Sequence, residues 1–276
     1  MIRPAGDNVI DVNYGLRKVG RRQPFTDIHC HLLPGLDDGP QTMAQALTLC
    51  RRLVAEGIAT VVATPHQLGR FDGRNDAPNV RDAVNKLNAA LEESKVSLRV
   101  LSGGEVRVDE RICRLLEDDR VLTLADSGKY ILLELPYEIF VNIEPLLAEL
   151  GSMGVQTIIS HPEKNAPLAA QPGVLLRWLD YSAHLQITAS SLTGENGAVV
   201  QRAAWHFLSS GWASLVATDS HDTDAHRPQM RAAFRRICAR LGEGLAHLVC
   251  IENPSMVVTG QDVASVRRRN QQKVRR

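Results

Sequence analysis

Two hydrophobic periodicities alternate along this chain from about residue 24 onward. Short unbroken apolar runs read as buried strands, and longer stretches with apolar side chains every three or four positions read as amphipathic helices. Positions 40–56 are of the helical kind, with Met43, Ala46, Leu47, Cys50, Leu53 and Val54 on one face and Gly57 as a stop signal. Further helices are predicted over 77–94, 110–117, 141–152, 174–181, 195–210 and 228–241. Strands are predicted over 58–63, 98–101, 130–134, 155–160, 185–188 and 214–217, after a first extended segment at 26–31. About seven βα units result, with no linker, second domain or internal repeat, and such alternation predicts a parallel sheet covered by helices.

The polar residues that break this pattern sit at strand ends. Within 26–31, alternation with period two puts His29 and His31 on one face and leaves Cys30 as a packing residue on the other. Asp37 and Asp38 follow in a loop closed by the turn residues Gly39 and Pro40. His66, Glu105, Glu134, His161, Asp219 and His221 each come at or just beyond the C-terminal end of an apolar run. Buried carboxylates need a cation or close hydrogen bonds to offset desolvation, so packing alone is a poor account of this repetition. Five histidines and four carboxylates, counting one of Asp37 and Asp38, form a ligand set large enough for more than one metal ion. His184, His206, His226 and His247 lie outside the pattern and read as structural or exposed.

Closure of the sheet into a barrel would gather every strand's C-terminal end at one mouth and bring these residues together. An open doubly wound sheet concentrates its site at one switch point, often beside a Gly-rich phosphate loop, and the sequence has no match to one. The expected fold is therefore an α/β barrel.

Composition narrows the class further. A chain of 276 residues with 44% hydrophobic content can bury a sizeable core. It has no apolar stretch of about 18 residues and no apolar segment behind a basic start, so a soluble, cytoplasmic protein without a transmembrane segment is expected. Five cysteines without CxxC spacing read as free thiols, and none has an arginine six positions later, which excludes the thiol-phosphatase loop. The net charge of +1 hides basic ends: residues 267–276 carry six basic side chains and no acid, and the body is acidic. Such a tail reads as a solvated end, although a non-catalytic role in binding anionic partners is an alternative; no aromatic interleaves with its charges, so no nucleic-acid partner is expected.

Several segments resemble the polymerase-and-histidinol-phosphatase superfamily. They are 27–31 through Asp38-Gly39, Thr64-Pro65-His66, Leu133-Glu134-Leu135, His161-Pro162-Glu163 and 217–221. Within it the chain is most similar to the bacterial metal-dependent protein-tyrosine phosphatases of capsular and extracellular polysaccharide synthesis, on Asp37-Asp38-Gly39-Pro40, the 122–127 stretch and Ile251-Glu252-Asn253-Pro254. The resemblance covers about residues 25–258. It implies a distorted (β/α)7 TIM-like barrel over 24–258, between a basic N-terminal extension at 1–23 and a basic C-terminal tail at 259–276.

It also implies three divalent ions, with Mn²⁺ first and Fe or Zn²⁺ as alternatives. One would sit on His29, His31, Glu105 and Asp219; a second would share Glu105 with Glu134 and His161; a third would take Asp38, His66 and His221. Three such ions against four carboxylates leave about two positive charges, suited to a phosphate dianion, and water acidified by the metals would attack phosphorus in line. Lys164 stands where the family commonly has arginine, replacing a bidentate fork by a point charge. Arg227 resembles a phosphate-contacting arginine. The implied substrate is phosphotyrosine on a protein, the tyrosine-rich tail of a polysaccharide-copolymerase kinase; a small ester such as histidinol phosphate is the alternative, and a homo-oligomer is left open.

Overall fold

The computed structural model describes residues 23–264 and residue 266. The basic extension expected at 1–23 and the tail beyond 266 lie outside the described residues, apart from residue 23. The chain runs β1 (Phe25–Cys30), α1 (Met43–Ala55), β2 (Ile58–Ala63), β3 (His66–Gln67), α2 (Ala77–Glu93), β4 (Arg99–Ser102), β5 (Glu105–Arg107) and α3 (Ile112–Glu117). It continues through β6 (Tyr130–Glu134), α4 (Glu144–Ser152), β7 (Gln156–Ser160), α5 (Ala166–Ala170), α6 (Val174–Asp180), β8 (His184–Thr188) and α7 (Ala189–Thr193). It ends with α8 (Ala198–Ser209), β9 (Ala213–Ala217), α9 (Met230–Leu241), α10 (Glu243–His247) and, after a π-helical turn at Leu248–Glu252, α11 (Asn253–Val258).

Local chemistry explains several boundaries. Helix α1 begins at Met43, three residues later than its apolar spacing predicts, because Thr42 and Gln45 form a reciprocal capping box there. It ends at Ala55 with Glu56 as its cap, and the chain turns away at Gly57, whose φ of +89° favours glycine. The short elements β3, β5, α5, α7, α10 and α11 were not predicted, since runs of two to six residues carry no readable period.

All strand pairs are parallel. They form a three-stranded sheet in the order β1-β2-β4 and a six-stranded sheet in the order β3-β5-β6-β7-β8-β9. Strands β2 and β3 follow one another across Thr64-Pro65, where proline cannot donate to a ladder. Strands β4 and β5 follow one another across Gly103-Gly104, and a Cβ on Gly104 would overlap the Gln67 side-chain amide. Counting each interrupted pair once gives seven tracks. The last track meets the first through a Cys30–Ser220 bridge and two backbone bonds of 2.8 Å, His31 N–H to Ser220 O and Asp219 N–H to His29 O. The result is the expected distorted (β/α)7 arrangement, joined at its seam by a bridge rather than a full ladder.

Ile28, Val62, Leu132, Ile158 and Leu215 pack inside the ring with Leu124, Tyr130 and Val257. Their strand neighbours Ile131, Leu133, Ile159 and Val216 face outward onto a second layer that includes Leu53, Leu87, Leu150, Phe207 and Ile237. Fully burying each such side chain contributes about 1.5–3 kcal/mol before entropy is counted. Polar residues continue the inward parity toward the C-terminal ends: Glu134 after Leu132, Ser160 after Ile158, Asp219 after Leu215 and Ala217.

Candidate metal centre

Strand β1 delivers its histidines by an irregularity. Its register against β2 shifts between Asp27 and Cys30, the mark of a bulge. Ile28 belongs to the inner cluster, so a regular strand would turn His29 outward; the shift re-aims His29 and His31 inward and Cys30 into the outer core. Asp27 anchors this bend, accepting from the Thr218 backbone N–H at 3.0 Å and from its hydroxyl. Burial raises the Asp27 carboxyl to about 6 against those bonds.

Glu105, at the start of β5, is the hub. Its carboxylate lies 2.9 Å from His161 Nε2, 3.0 Å from His66 Nδ1, 3.4 Å from His29 Nε2 and 3.5 Å from His31 Nε2. Ser160 Oγ donates to its Oε1 at 2.7 Å, whereas the buried Oε2 accepts no hydrogen bond. Asp219 Oδ1 approaches His29 at 3.3 Å and His31 at 3.7 Å, and its Oδ2 holds the Lys164 ammonium. Asp38 Oδ1 reaches His221 at 3.4 Å and His66 at 3.5 Å, while its Oδ2 holds Arg70. Glu134 lies 3.7 Å from His66 and 3.1 Å from Arg107 Nη1.

All nine expected ligands therefore converge, in four overlapping groups whose donor atoms lie within 4.8 Å of one another. These are His29, His31, Asp219; His31, Asp38, His66, His221; His66, Glu105, Glu134; and His29, Glu105, His161. The expected three-way division and this grouping differ: His161 falls with His29 rather than with Glu134, Glu134 falls with His66, His31 also joins the group of Asp38, and Glu105 is absent from the group of His29, His31 and Asp219. Two of the nine, His161 and Asp219, have positive φ, 32° and 53°. Non-glycine residues hold such backbone at a cost of about 1–3 kcal/mol, which the surrounding structure must offset.

Tautomers test whether the donors fit cations. His29 Nδ1 lies 2.8 Å from Gln186 Oε1 and His31 Nδ1 lies 2.7 Å from Asp37 Oδ2, so each Nδ1 carries the donated proton. Neutral rings would then aim two Nε2 lone pairs at each other across 3.2 Å. A cation, or an extra proton standing in for one, resolves that repulsion, and His31 responds accordingly: burial disfavours its charge, yet Asp37 and Glu105 raise it well above an ordinary histidine. Despite burial, the Glu105 carboxyl is held well below its usual range by His29 and His161, and that of Asp219 by Lys164, His29 and His161. His221, stacked on His31 at 3.9 Å, is pushed down by burial and by the charge on His31. Imidazole and carboxylate donors, with a buried Glu105 oxygen that accepts no hydrogen bond and faces the His66 and His31 nitrogens, fit divalent ions.

Of the two cations expected to meet phosphate, Lys164 lies inside the cluster on Asp219, and Arg227 lies at the surface, 2.8 Å from Glu195. Burial works against the Lys164 charge, but Asp219, with Glu163 and Glu105, raises its pKa above the ordinary lysine value. The supporting residues Asp37, Gln186, Ser160 and Arg107 were not singled out by sequence reasoning as partners of the ligands. A polar Gln186 within the otherwise apolar 185–187 run was the one readable signal; the roles of the others depend on distant contacts. His206 and His247 are exposed or near the surface and His184 is part-buried, apart from the cluster as expected, whereas the exposed His226 sits beside it, its ring 5.4 Å from that of His221 and its carbonyl accepting the His221 N–H at 3.1 Å.

A parallel α/β ring with this donor set at its C-terminal mouth defines a barrel-like protein built around several His, Asp and Glu groups able to bind metal ions. The family model for capsular polysaccharide synthesis, CpsB/CapC, matches residues 25–259, and the chain belongs to that family. It is 30% identical over 238 residues to the tyrosine-protein phosphatase YwqE of Bacillus subtilis, covering 86% of this chain and 92% of that one. It is 26% identical over 243 residues to the tyrosine-protein phosphatase CpsB of Streptococcus pneumoniae, covering 85% and 98%. A crystal structure from the work on YwqE and CpsB, described as metal-dependent tyrosine phosphatases, superposes with a TM-score of 0.83 at 30% identity, over 87% of this chain and 96% of that one.

Proposed function

We propose that this protein hydrolyses phosphotyrosine on a protein substrate, using three divalent ions, Mn²⁺ foremost, held by His29, His31, Asp38, His66, Glu105, Glu134, His161, Asp219 and His221. The observation that carries the reading is the facing pair His29 Nε2 and His31 Nε2, each fixed by an acceptor on its other nitrogen, within a cluster of four carboxylates. The relatives named as tyrosine-protein phosphatases supply the substrate class. When bound, divalent ions at these donors supply positive charge for the phosphoryl oxygens and acidify water. The chain's own groups do the rest. Gln186 and Asp37 orient the two β1 imidazoles, Ser160 fixes Glu105, and Lys164 places an ammonium beside Asp219 where a phosphate would enter. Arg227 must release Glu195 before it can contact phosphate.

The mouth supports a protein substrate. Its innermost donors, His29, His31 and Glu105, are buried, whereas the Asp38 side chain is 44% exposed, so the centre opens to the surface on one side. The proposed partner is a tyrosine kinase of polysaccharide export, encountered in the cytoplasm; among the described residues no helix is long and apolar enough to cross a membrane. Initial rates on a phosphotyrosine peptide and on histidinol phosphate, with a chelator-stripped preparation reloaded with Mn²⁺, test the assignment. Metal-dependent turnover favouring the peptide is expected; preference for the small ester would overturn it.

A further inference from the structure

Three of the six large hydrophobic side chains exposed among the described residues fall in one loop. They are Tyr137, Ile139 and Phe140, 43%, 59% and 48% exposed, and their loop leaves β6 directly after Glu134. Its backbone is fixed from the next strand's exit: the Asn165 side-chain amide donates to the Pro136 and Ile139 carbonyls, and Ala166 N–H donates to Tyr137 O at 2.8 Å. Asn165 lies four residues after His161, so the loop is tied to the segment that brings a candidate ligand. The Tyr137 ring lies 5.5 Å from the His161 ring at a tilt of 41°, and its hydroxyl is within electrostatic reach of Glu105, Asp219, Glu134 and Arg107. An exposed apolar patch beside a polar centre marks a recognition surface.

The neighbouring aromatics are already engaged. Phe71 stacks on His66 at 5.5 Å and carries the Arg70 guanidinium 4.6 Å from its centroid, which makes it a buttress of His66. Phe140 stacks on Trp178 at 6.1 Å. Tyr137 combines closeness to the donors with open surface.

We propose that the 136–140 loop is the recognition platform of this centre, with Tyr137 forming the wall against which the phenyl ring of a phosphotyrosine lies and Ile139 receiving an adjacent apolar residue of the substrate peptide. The inference rests on the phosphotyrosine reading above and adds the source of its selectivity. Aromatic pairs prefer offset or edge-to-face contact at about 4.5–7 Å between centroids. An alkyl phosphate has no ring to place there, so Tyr137 separates aryl from alkyl esters through the leaving group without touching phosphorus.

The test measures kcat and KM of the full chain, loaded with Mn²⁺, on a phosphotyrosine peptide, the same peptide with phosphoserine, and p-nitrophenyl phosphate. Tyr137→Ala is expected to lower kcat/KM on both aryl esters about tenfold, chiefly through KM, with the phosphoserine peptide unchanged. Tyr137→Phe keeps the ring and is expected to stay within about twofold of the parent, and Ile139→Ser is expected to affect the peptides but not p-nitrophenyl phosphate. An aryl KM that does not move in Tyr137→Ala, or an equal loss on aryl and alkyl esters, overturns the platform alone. A parent chain that hydrolyses neither aryl ester overturns the phosphotyrosine reading and the platform with it.

Discussion

His31 Nδ1 and Asp37 Oδ2 lie 2.7 Å apart with both side chains buried, so the carboxylate beside the expected ligand Asp38 orients an imidazole instead of facing the cluster. Asp37 also accepts the His66 N–H at 3.1 Å and the Gly39 N–H at 3.0 Å, which joins three segments of the centre through one side chain. Such carboxylate partners fix a ligand's tautomer and raise its basicity. Asp37→Asn is expected to weaken metal binding about 10- to 100-fold while leaving the fold intact. Metal titration by calorimetry checks it, and unchanged affinity would show that His31 does not need a charged acceptor.

Glu105 touches four of the five cluster imidazoles, and among the described residues no other carboxylate touches as many. Glu105→Gln retains shape but removes the charge those imidazoles surround. Turnover is expected to fall at least about a hundredfold, or about 2.7 kcal/mol in barrier, with at least one metal equivalent lost. Circular dichroism confirms folding, and elemental analysis of the bound metal separates loss of a site from loss of chemistry. Full metal content with full turnover would remove Glu105 from the centre.

How much of this was legible differs between the two residues. Glu105 and the other eight donors stand out because each ends an apolar run, and a barrel brings such ends together whatever the helices between them do. The strand bounds at 58–63 and 130–134 were readable for the same reason, since buried parallel strands are unbroken apolar runs. Sequence favours Asp38 over Asp37 because the pattern of the family the chain resembles places the ligand directly before the glycine; the two adjacent carboxylates look alike in sequence, and the orienting role of Asp37 on His31 depends on the folded loop. The bulge in β1 and the splitting of two strand tracks at Pro65 and Gly103-Gly104 were hidden too, because they depend on contacts with segments tens of residues away.

Lys164 offers a sharper test of phosphate recognition. Its ammonium is held by Asp219 and flanked by Glu105, in the position where an arginine is common in the family it resembles. Lys164→Ala is expected to lower kcat/KM on a phosphotyrosine peptide about tenfold or more. Lys164→Arg is expected to recover most of that loss and to lower KM, because a guanidinium can bind two phosphoryl oxygens at once. If alanine and arginine variants behave alike, the ammonium serves Asp219 only and not the substrate.

His184 links pH to stability away from the metal centre. It opens β8, with Nε2 3.1 Å from Gln156 Oε1, Nδ1 3.3 Å from Ser214 Oγ and its ring against Tyr130. Burial lowers its pKa to about 4, with the more distant Asp262 pulling weakly the other way. The folded chain therefore keeps this ring neutral where the unfolded chain, titrating near 6.5, takes up a proton. Its contribution is complete above about pH 6.5 and is lost as pH falls toward 4, below which both states are protonated and the curve is flat. The loss reaches about 3 kcal/mol over that window. Urea unfolding of the chelated protein at a series of pH values, compared with His184→Gln, isolates this term, because Asp27, raised to about 6 and titrating in the same window, is common to both proteins. A parent and variant with parallel stability profiles between pH 7 and 4 would mean that His184 titrates as freely in the barrel as in the unfolded chain.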